Sequence, residues 1–180
     1  MREKVLEKTR RFDGKVVTLE HWQIEKPDGK VHTYEVLLHP GASACIPIDD
    51  EGNVYLVRQD RVAIGRETVE IPAGKLEPGE DPLIAAQREL SEETGLSAQN
   101  WRHLVSQYPA AAYDQEIVHI YLATGLSRGD AHPDEDEWVS VERQPLEVMF
   151  RRVMAGEIQD SKTVTAILMA HEIVAAGGGQ

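Results

Sequence analysis

Three glutamates in the middle of the chain have a spacing that suits metal chemistry. Glu89, Glu92 and Glu93 occupy positions i, i+3 and i+4, so on an α-helix they would share one face. Carboxylates this close repel one another unless a cation neutralises them, and hard cations such as Mg²⁺ and Mn²⁺ prefer oxygen ligands. The alternative is a solvated acidic helix face that binds no metal.

The flanking residues predict the helix that would hold these side chains. Asp81 is a suitable N-cap, and Pro82 suits the first helical position because its missing N–H has no intrahelical partner there. Gly95 suits the left-handed position that ends a helix. The face expected to dock on a sheet comprises Leu83, Ala86 and Leu90.

A longer pattern around these residues favours the metal interpretation. Residues 74–96 fit G-x(5)-E-x(7)-R-E-U-x-E-E-x-G-U, where U is aliphatic, without a gap or a shift. This stretch resembles the Nudix box, the signature of hydrolases that cleave a nucleoside diphosphate linked to another group. The matching residues are Gly74, Glu80, Arg88, Glu89, Leu90, Glu92, Glu93, Gly95 and Leu96.

The resemblance implies a set of metal ligands. Glu89 and Glu93 would be the main ligands, Glu92 would assist, and the backbone carbonyl of Ala73 would be a further ligand. Roughly two to three Mg²⁺ or Mn²⁺ ions would occupy the site. Gly74 would belong to the substrate-binding set, because it lets the loop backbone come close to metal and phosphates.

Further box residues are expected to support catalysis. Arg88 is placed to pair with a neighbouring carboxylate and fix its orientation, and Glu92 joins it in the catalytic set. Glu80 would contribute to the acidic cluster, directly or through water.

The attacking water needs a base, since the box carboxylates would be bound to metal. Residues 132–137, His-Pro-Asp-Glu-Asp-Glu, stand where the similar enzymes carry a mobile acidic loop. Glu135 best matches their base by position, Glu137 is a second candidate, and a solvated acidic turn is the alternative. A bound cation lowers the pKa of water, so a modest base would suffice.

Segments beside the box resemble the branch that cleaves ADP-ribose and nucleoside diphosphate sugars. They are Val57-Arg58-Gln59 followed by Arg61, and Glu70-Ile71-Pro72-Ala73-Gly74. Arg58 and Arg61 would hold a phosphate or a terminal ribose, or they would form surface ion pairs, and Glu70 is a further candidate for substrate binding.

The branch usually has Ser-Pro-Gly-Phe after the box, but residues 108–116 here read YPAAAYDQE. That loop lies by the terminal group of the substrate in relatives, so another nucleoside diphosphate sugar competes with ADP-ribose.

The first forty residues predict an antiparallel sheet. Apolar and polar residues alternate over 5–12, 15–25 and 30–38, with hairpin signals at Asp13-Gly14 and Asp28-Gly29. We therefore divide the chain into an N-terminal extension, 1–40, and a Nudix domain, 41–180. Such an extension helps to build a homodimer in the similar enzymes. Trp22 and Tyr34 in it would pack, form the interface or stack on a base.

The remaining elements predict an α/β fold. Strands are expected at 42–47, 53–59, 68–71, 101–108, 116–123 and 138–141, a loop at 72–79, and two later helices at 145–155 and 161–176, the second capped by Asp160. This order suggests a mixed β-sheet between helices, an α/β/α sandwich, which is the form of the Nudix fold.

The composition of the chain restricts the kinds of partner that it is expected to bind. The chain has 180 residues and a formal net charge of −12, which argues against nonspecific nucleic-acid binding. The single cysteine, Cys45, stands in an apolar run and is expected to be a small buried residue. No segment has the length of a membrane span and the first residues lack an apolar signal core, so a cytoplasmic protein is expected.

The sequence predicts one activity and leaves two alternatives. The predicted activity is that of a metal-dependent hydrolase that cleaves the diphosphate bond of ADP-ribose or other nucleoside diphosphate sugars to a nucleoside monophosphate and a sugar phosphate. One alternative is a Nudix enzyme acting on nucleoside triphosphates or dinucleoside polyphosphates. The other is a non-catalytic module that senses a nucleotide, although such proteins tend to lose box glutamates and this chain keeps them.

Overall fold

A computed structural model describes residues 3–129 and 140–177. The chain divides into two units, each with its own internal contacts. One comprises Met1–Gly41 with Tyr108–Ile117, and the other comprises Ala42–Gln107 with Val118–Gln180. No helix within the described residues is long and apolar enough to cross a membrane.

The first unit contains the predicted antiparallel sheet. Its strands are β1 (Lys4–Asp13), β2 (Thr18–Glu25) and β3 (Val31–Leu38), in the order β1-β2-β3. The second strand begins later than residue 15, because the Gly14 N–H donates to the Val17 carbonyl at 3.0 Å and closes the turn. Gly29 has a φ of 81°, as the second hairpin turn requires.

The segment after the box that departs from the family pattern belongs to this first unit. The Leu37 N–H donates to the Tyr113 carbonyl at 2.7 Å, and the Gln115 N–H donates to the Leu37 carbonyl at 3.0 Å. Glu116 lies 3.7 Å from His39. The predicted strand 116–123 therefore starts two residues late, at Val118, because the preceding residues lie along β3 instead.

In its described part, the second unit holds two sheets. A four-stranded sheet has the order β7-β4-β9-β8, and a three-stranded sheet has the order β10-β5-β6. The first is mixed, as predicted, because β4 runs parallel to β9 and antiparallel to β7. The strands are β4 (Ala42–Pro47), β5 (Asn53–Arg61), β6 (Arg66–Glu70), β7 (Ala73–Lys75), β8 (Leu96–Gln107), β9 (Val118–Arg128) and β10 (Ser140–Pro145).

Several predicted boundaries in this unit were wrong. The loop prediction missed β7, which pairs with β4. Strand β8 begins at Leu96, directly after the helix, rather than at Trp101. Strand β10 continues to Pro145, so the next helix begins one residue later than predicted; residues 138 and 139 lie outside the described ranges.

The described residues form three α-helices, which are α1 (Pro82–Thr94), α2 (Leu146–Met154) and α3 (Ser161–Ala175). Side chains alternate along β4, so successive residues face opposite layers. Cys45 packs with α1 residues Ala86 and Leu90, whereas Ala44 and Ile46 pack in the cluster that contains α2 and α3 residues. The expected α/β/α sandwich is thereby confirmed.

The caps of α1 are those that the sequence predicted. The Asp81 side chain accepts from the Leu83 N–H at 2.9 Å, and Gly95 has a φ of 67°. On the docking face Ala85 is fully buried and Leu83 only partly, so two adjacent alanines bring the helix axis close to the sheet. Further along α1, Glu93 accepts from the Ala73 N–H at the start of β7.

Candidate active site

The second half of α1 carries two buried carboxylates. Glu89 is 7% exposed and Glu93 is 6% exposed, although charged side chains are rarely buried unless they are partnered.

Burial raises the pKa of the nearby Cys45 thiol, and the charges of Glu93 and Glu89 raise it further. Cys45 is fully buried, as predicted, and this environment disfavours its thiolate.

Arg88 connects three glutamates of the box. Its Nη1 donates to Glu89 Oε1 at 2.6 Å and to Glu92 Oε2 at 2.9 Å, and its Nε donates to Glu80 Oε1 at 3.0 Å. Its Nη2 also donates to the Lys75 carbonyl at 3.2 Å, which ties the helix to the loop. Hydrogen bonding to Arg88 lowers the pKa of Glu80, so this carboxylate stays ionised.

The loop backbone at residues 73 and 74 faces both buried carboxylates. The Ala73 N–H donates to Glu93 Oε2 at 3.0 Å. A Cβ atom added to Gly74 would overlap the Glu89 carboxylate, so a side chain at this position would displace Glu89. The predicted close approach at Gly74 is therefore an approach to Glu89, and the site lies where α1 meets the start of β7.

The donor chemistry of this site fits a hard cation. Glu80, Glu89 and Glu92 all pair with Arg88, and Glu93 adds a fourth carboxylate that accepts from the Ala73 N–H. Clustered carboxylate oxygens are the donors that Mg²⁺ and Mn²⁺ prefer. Within residues 3–129 and 140–177 no three carboxylate, histidine or cysteine side chains are already gathered as a metal-binding group. Glu89 and Glu92 lie on Arg88, so binding of an ion would require their carboxylates to turn.

Glu70 and Arg61 are brought together by the structure. Arg61 donates from Nε to Glu70 Oε1 at 2.7 Å and from Nη2 to Glu70 Oε2 at 2.6 Å. Lys162 Nζ and the Thr68 hydroxyl also donate to Glu70, which is only 2% exposed. Burial alone would raise the pKa of Glu70, but the hydrogen bond from Arg61 and the charge of Lys162 outweigh it and lower this pKa to about 2.

Lys162 is a member of this cluster that the sequence did not indicate. Its partner Glu70 is 92 residues away along the chain, so no local spacing relates the two. The one local signal was Asp160, which was predicted as a helix cap and which also accepts from Lys162 Nζ at 3.0 Å.

Arg58 forms the ion pairs that were the alternative to substrate binding. Its Nε donates to Glu142 Oε2 at 2.5 Å and its Nη1 donates to Glu67 Oε1 at 2.8 Å. These contacts link β10, β5 and β6 across the three-stranded sheet. A role of Arg58 in substrate binding stays a prediction.

Trp22 and Tyr34 face each other across β2 and β3 in the first unit. Lys8 Nζ lies 3.7 Å from the ring centre of Trp22, and Lys26 Nζ lies 4.6 Å from that of Tyr34. Each ring thus has a lysine ammonium group over one face, which favours a packing role for that face of the ring. A role of either ring in stacking on a base stays a prediction. The two candidate bases, Glu135 and Glu137, lie outside the described residues.

The depressed pKa of Glu70 leads to a test by pH. The Glu70 carboxylate binds a proton near pH 4.5 in the unfolded chain and near pH 2 in the folded chain. Ionised Glu70 therefore stabilises the fold above pH 4.5. This contribution, on the order of 3 kcal/mol, is lost as pH falls from about 4.5 toward 2. We expect Glu70→Gln to lower the free energy of unfolding at pH 7, and the gap to wild type to shrink below about pH 4.5.

Urea unfolding at pH 7, 5, 4 and 3.5 measures this gap. The matched control is Glu172→Gln, since the Glu172 side chain is 79% exposed, and it should match wild type at each pH. A gap for Glu70→Gln that stays constant down to pH 3.5 would contradict the ionic account of this cluster.

Comparison with known proteins agrees with the geometry of the site. The NUDIX domain model matches residues 37–163. The ADP-ribose pyrophosphatase of Bacillus subtilis (strain 168) is 41% identical over 169 residues, covering 93% of this chain and 91% of that protein. The methanol dehydrogenase activator of Bacillus methanolicus is 40% identical over 167 residues, covering 92% and 90%. A crystal structure of an ADP compounds hydrolase superposes with a TM-score of 0.88 at 24% identity, over 100% of this chain and 98% of that one, which shows the shared fold. The chain therefore belongs to the Nudix family.

Proposed function

We propose that this protein is a hydrolase that cleaves the diphosphate bond of ADP-ribose and other nucleoside diphosphate sugars. The products are a nucleoside monophosphate and a sugar phosphate. The observation that carries the proposal is the meeting of two buried carboxylates, Glu89 and Glu93, with the backbone of Ala73 and Gly74. The ADP-ribose pyrophosphatase that is 41% identical over most of the chain supports this substrate class.

Nudix hydrolases need divalent metal ions. In our proposal Glu89, Glu93, Glu92 and the Ala73 carbonyl hold roughly two to three Mg²⁺ or Mn²⁺ ions. When bound, these ions offset the charge of the diphosphate and lower the pKa of water. Arg88 holds Glu89 and Glu92 beside the loop and reduces their repulsion, and their carboxylates would turn from Arg88 toward an ion that binds.

Other residues of the chain bind substrate and move protons. Arg61 has 42% of its side chain exposed and is fixed by Glu70, so it can present its guanidinium to a substrate phosphate without further ordering. Glu135 or Glu137 takes the proton of the water that attacks phosphorus. The bridging P–O bond then breaks, and the departing phosphate keeps the electron pair.

A hydrolysis panel tests this function. It comprises ADP-ribose, ADP-glucose, GDP-mannose, UDP-glucose and ATP with Mg²⁺ or Mn²⁺, scored as kcat/KM and by ³¹P NMR of the products. We expect the diphosphate sugars to be cleaved to a nucleoside monophosphate and a sugar phosphate, with ADP-ribose first because of the similar pyrophosphatase. Preferred cleavage of ATP with release of pyrophosphate, or tight binding without turnover, would instead support the triphosphate or the sensing alternative.

A single substitution tests the role of the buried carboxylates. We expect Glu93→Gln to lose about 100-fold or more in kcat, because the amide is a poor ligand for a hard cation. Circular dichroism should show a folded protein, and the exposed control Glu172→Gln should keep wild-type activity. Wild-type turnover by Glu93→Gln would remove this residue from the metal site.

We further propose a homodimer formed through the sheet of the first unit. Strand β1 is an edge strand with exposed apolar side chains, among them Val5, Leu6 and Phe12, and such a surface suits pairing with a second copy. Light scattering should then give twice the chain mass of 20.1 kDa, and a monomer mass would contradict the dimer.

The buried Cys45 fits a reducing compartment such as the cytoplasm.

A further inference from the structure

The segment from Ile71 to Ala73, which enters the site, is held by three different elements. Strand β4, helix α1 and helix α3 each contribute one hydrogen bond to consecutive residues of this segment. The three bonds are Cys45 N–H to the Pro72 carbonyl at 3.0 Å, Ala73 N–H to Glu93 Oε2 at 3.0 Å and Ile71 N–H to Thr163 Oγ1 at 2.9 Å. The third comes from a helix that carries none of the box residues.

The direction of the Thr163 hydroxyl is fixed by its surroundings. Thr163 is fully buried, and its hydroxyl donates to Asp160 Oδ2 at 2.6 Å. A hydroxyl has one hydrogen to donate, so its oxygen is left to accept the Ile71 N–H. A wrongly oriented hydroxyl would leave this buried N–H without a partner, which is strongly unfavourable.

A second link joins the same parts of the fold. Lys162 Nζ donates to Asp160 Oδ1 at 3.0 Å and to Glu70, the residue directly before Ile71. Asp160 also accepts from the Thr163 N–H at 3.0 Å, as the cap of α3. The start of α3 is therefore joined to the end of β6 in two ways. The Thr163 hydroxyl accepts from the Ile71 N–H, and Lys162 lies between the carboxylates of Asp160 and Glu70.

We propose that Thr163 is a positioning residue for the metal site, an inference that rests on the proposed function. Its hydroxyl sets the backbone position of Ile71, and through Pro72 that of Ala73 and Gly74. These two residues face Glu93 and Glu89, so a displaced segment would misplace the Ala73 carbonyl relative to both carboxylates. Removing a hydrogen-bond partner of a metal ligand typically alters metal affinity or activity about 10- to 100-fold. Thr163 bonds to Ile71, two residues before Ala73, so the lower end of this range is expected.

Three variants on one helix separate this role from a general loss of stability. Thr163→Val keeps the shape of the side chain and removes the hydroxyl, and Thr163→Ser keeps the hydroxyl. Thr165→Val is the matched control, because Thr165 is half-buried and its hydroxyl donates within α3, to the Ser161 carbonyl at 2.9 Å. The readout is the affinity for Mn²⁺ in the absence of substrate, from the electron paramagnetic resonance signal of free Mn²⁺.

We expect Thr163→Val to bind Mn²⁺ about 10-fold more weakly than wild type, and to need more Mn²⁺ for half-maximal hydrolysis of ADP-ribose. Thr163→Ser should restore most of this affinity, and Thr165→Val should match wild type. A Thr163→Val protein with a lowered melting temperature but wild-type Mn²⁺ affinity would show a purely structural role and overturn the inference.

A second variant decides the matter if Thr163→Val does not fold. Asp160→Gly keeps an acceptable N-cap residue but removes the side chain that orients the Thr163 hydroxyl. Weaker Mn²⁺ binding supports the inference, and unchanged binding overturns it. Failure of the wild-type protein to bind Mn²⁺ would overturn the proposed function together with this inference, whereas unchanged binding by the variants would overturn the inference alone.

Discussion

Negative charge concentrated beside the backbone of Ala73 and Gly74 is the constraint on which the rest of the site depends. Glu89 and Glu93 are largely buried there, and burying a carboxylate is unfavourable unless positive charge or hydrogen-bond donors surround it. Arg88 and the Ala73 N–H provide part of that compensation. The gathered carboxylate oxygens are the donors that hard divalent cations prefer, and this is the basis of the proposed metal site.

The fold supplies the geometry that this charge requires. Alanines on α1 let the helix lie close to β4, and this closeness brings Glu89 against Gly74, where a side chain would not fit. On the other layer, α3 fixes the end of β6 through Thr163 and Lys162. The segment from Ile71 to Ala73 thus lies between two helices on opposite faces of the sheet, and neither helix alone determines its position.

The parts that the sequence predicted are those determined by local chemistry. Helix α1, its caps at Asp81 and Gly95, and the spacing of its glutamates follow from residues within one stretch. Strand β7 was missed because it exists only by pairing with β4, and the partnership of Glu70 with Lys162 was missed because it joins distant segments. The segment at 108–117 was also misjudged in part, since its attachment to β3 depends on contacts with Leu37 that no local pattern encodes.

Crystals soaked in Mn²⁺ and measured at the manganese absorption edge would show directly whether Glu89, Glu93 and the Ala73 carbonyl bind the ion. We expect anomalous density about 2.0–2.6 Å from carboxylate oxygens of Glu89 and Glu93 and from the Ala73 carbonyl, with Arg88 still bound to Glu80. Density only at other carboxylates, or none at Mn²⁺ concentrations that support hydrolysis, would contradict the assignment of this junction as the metal site.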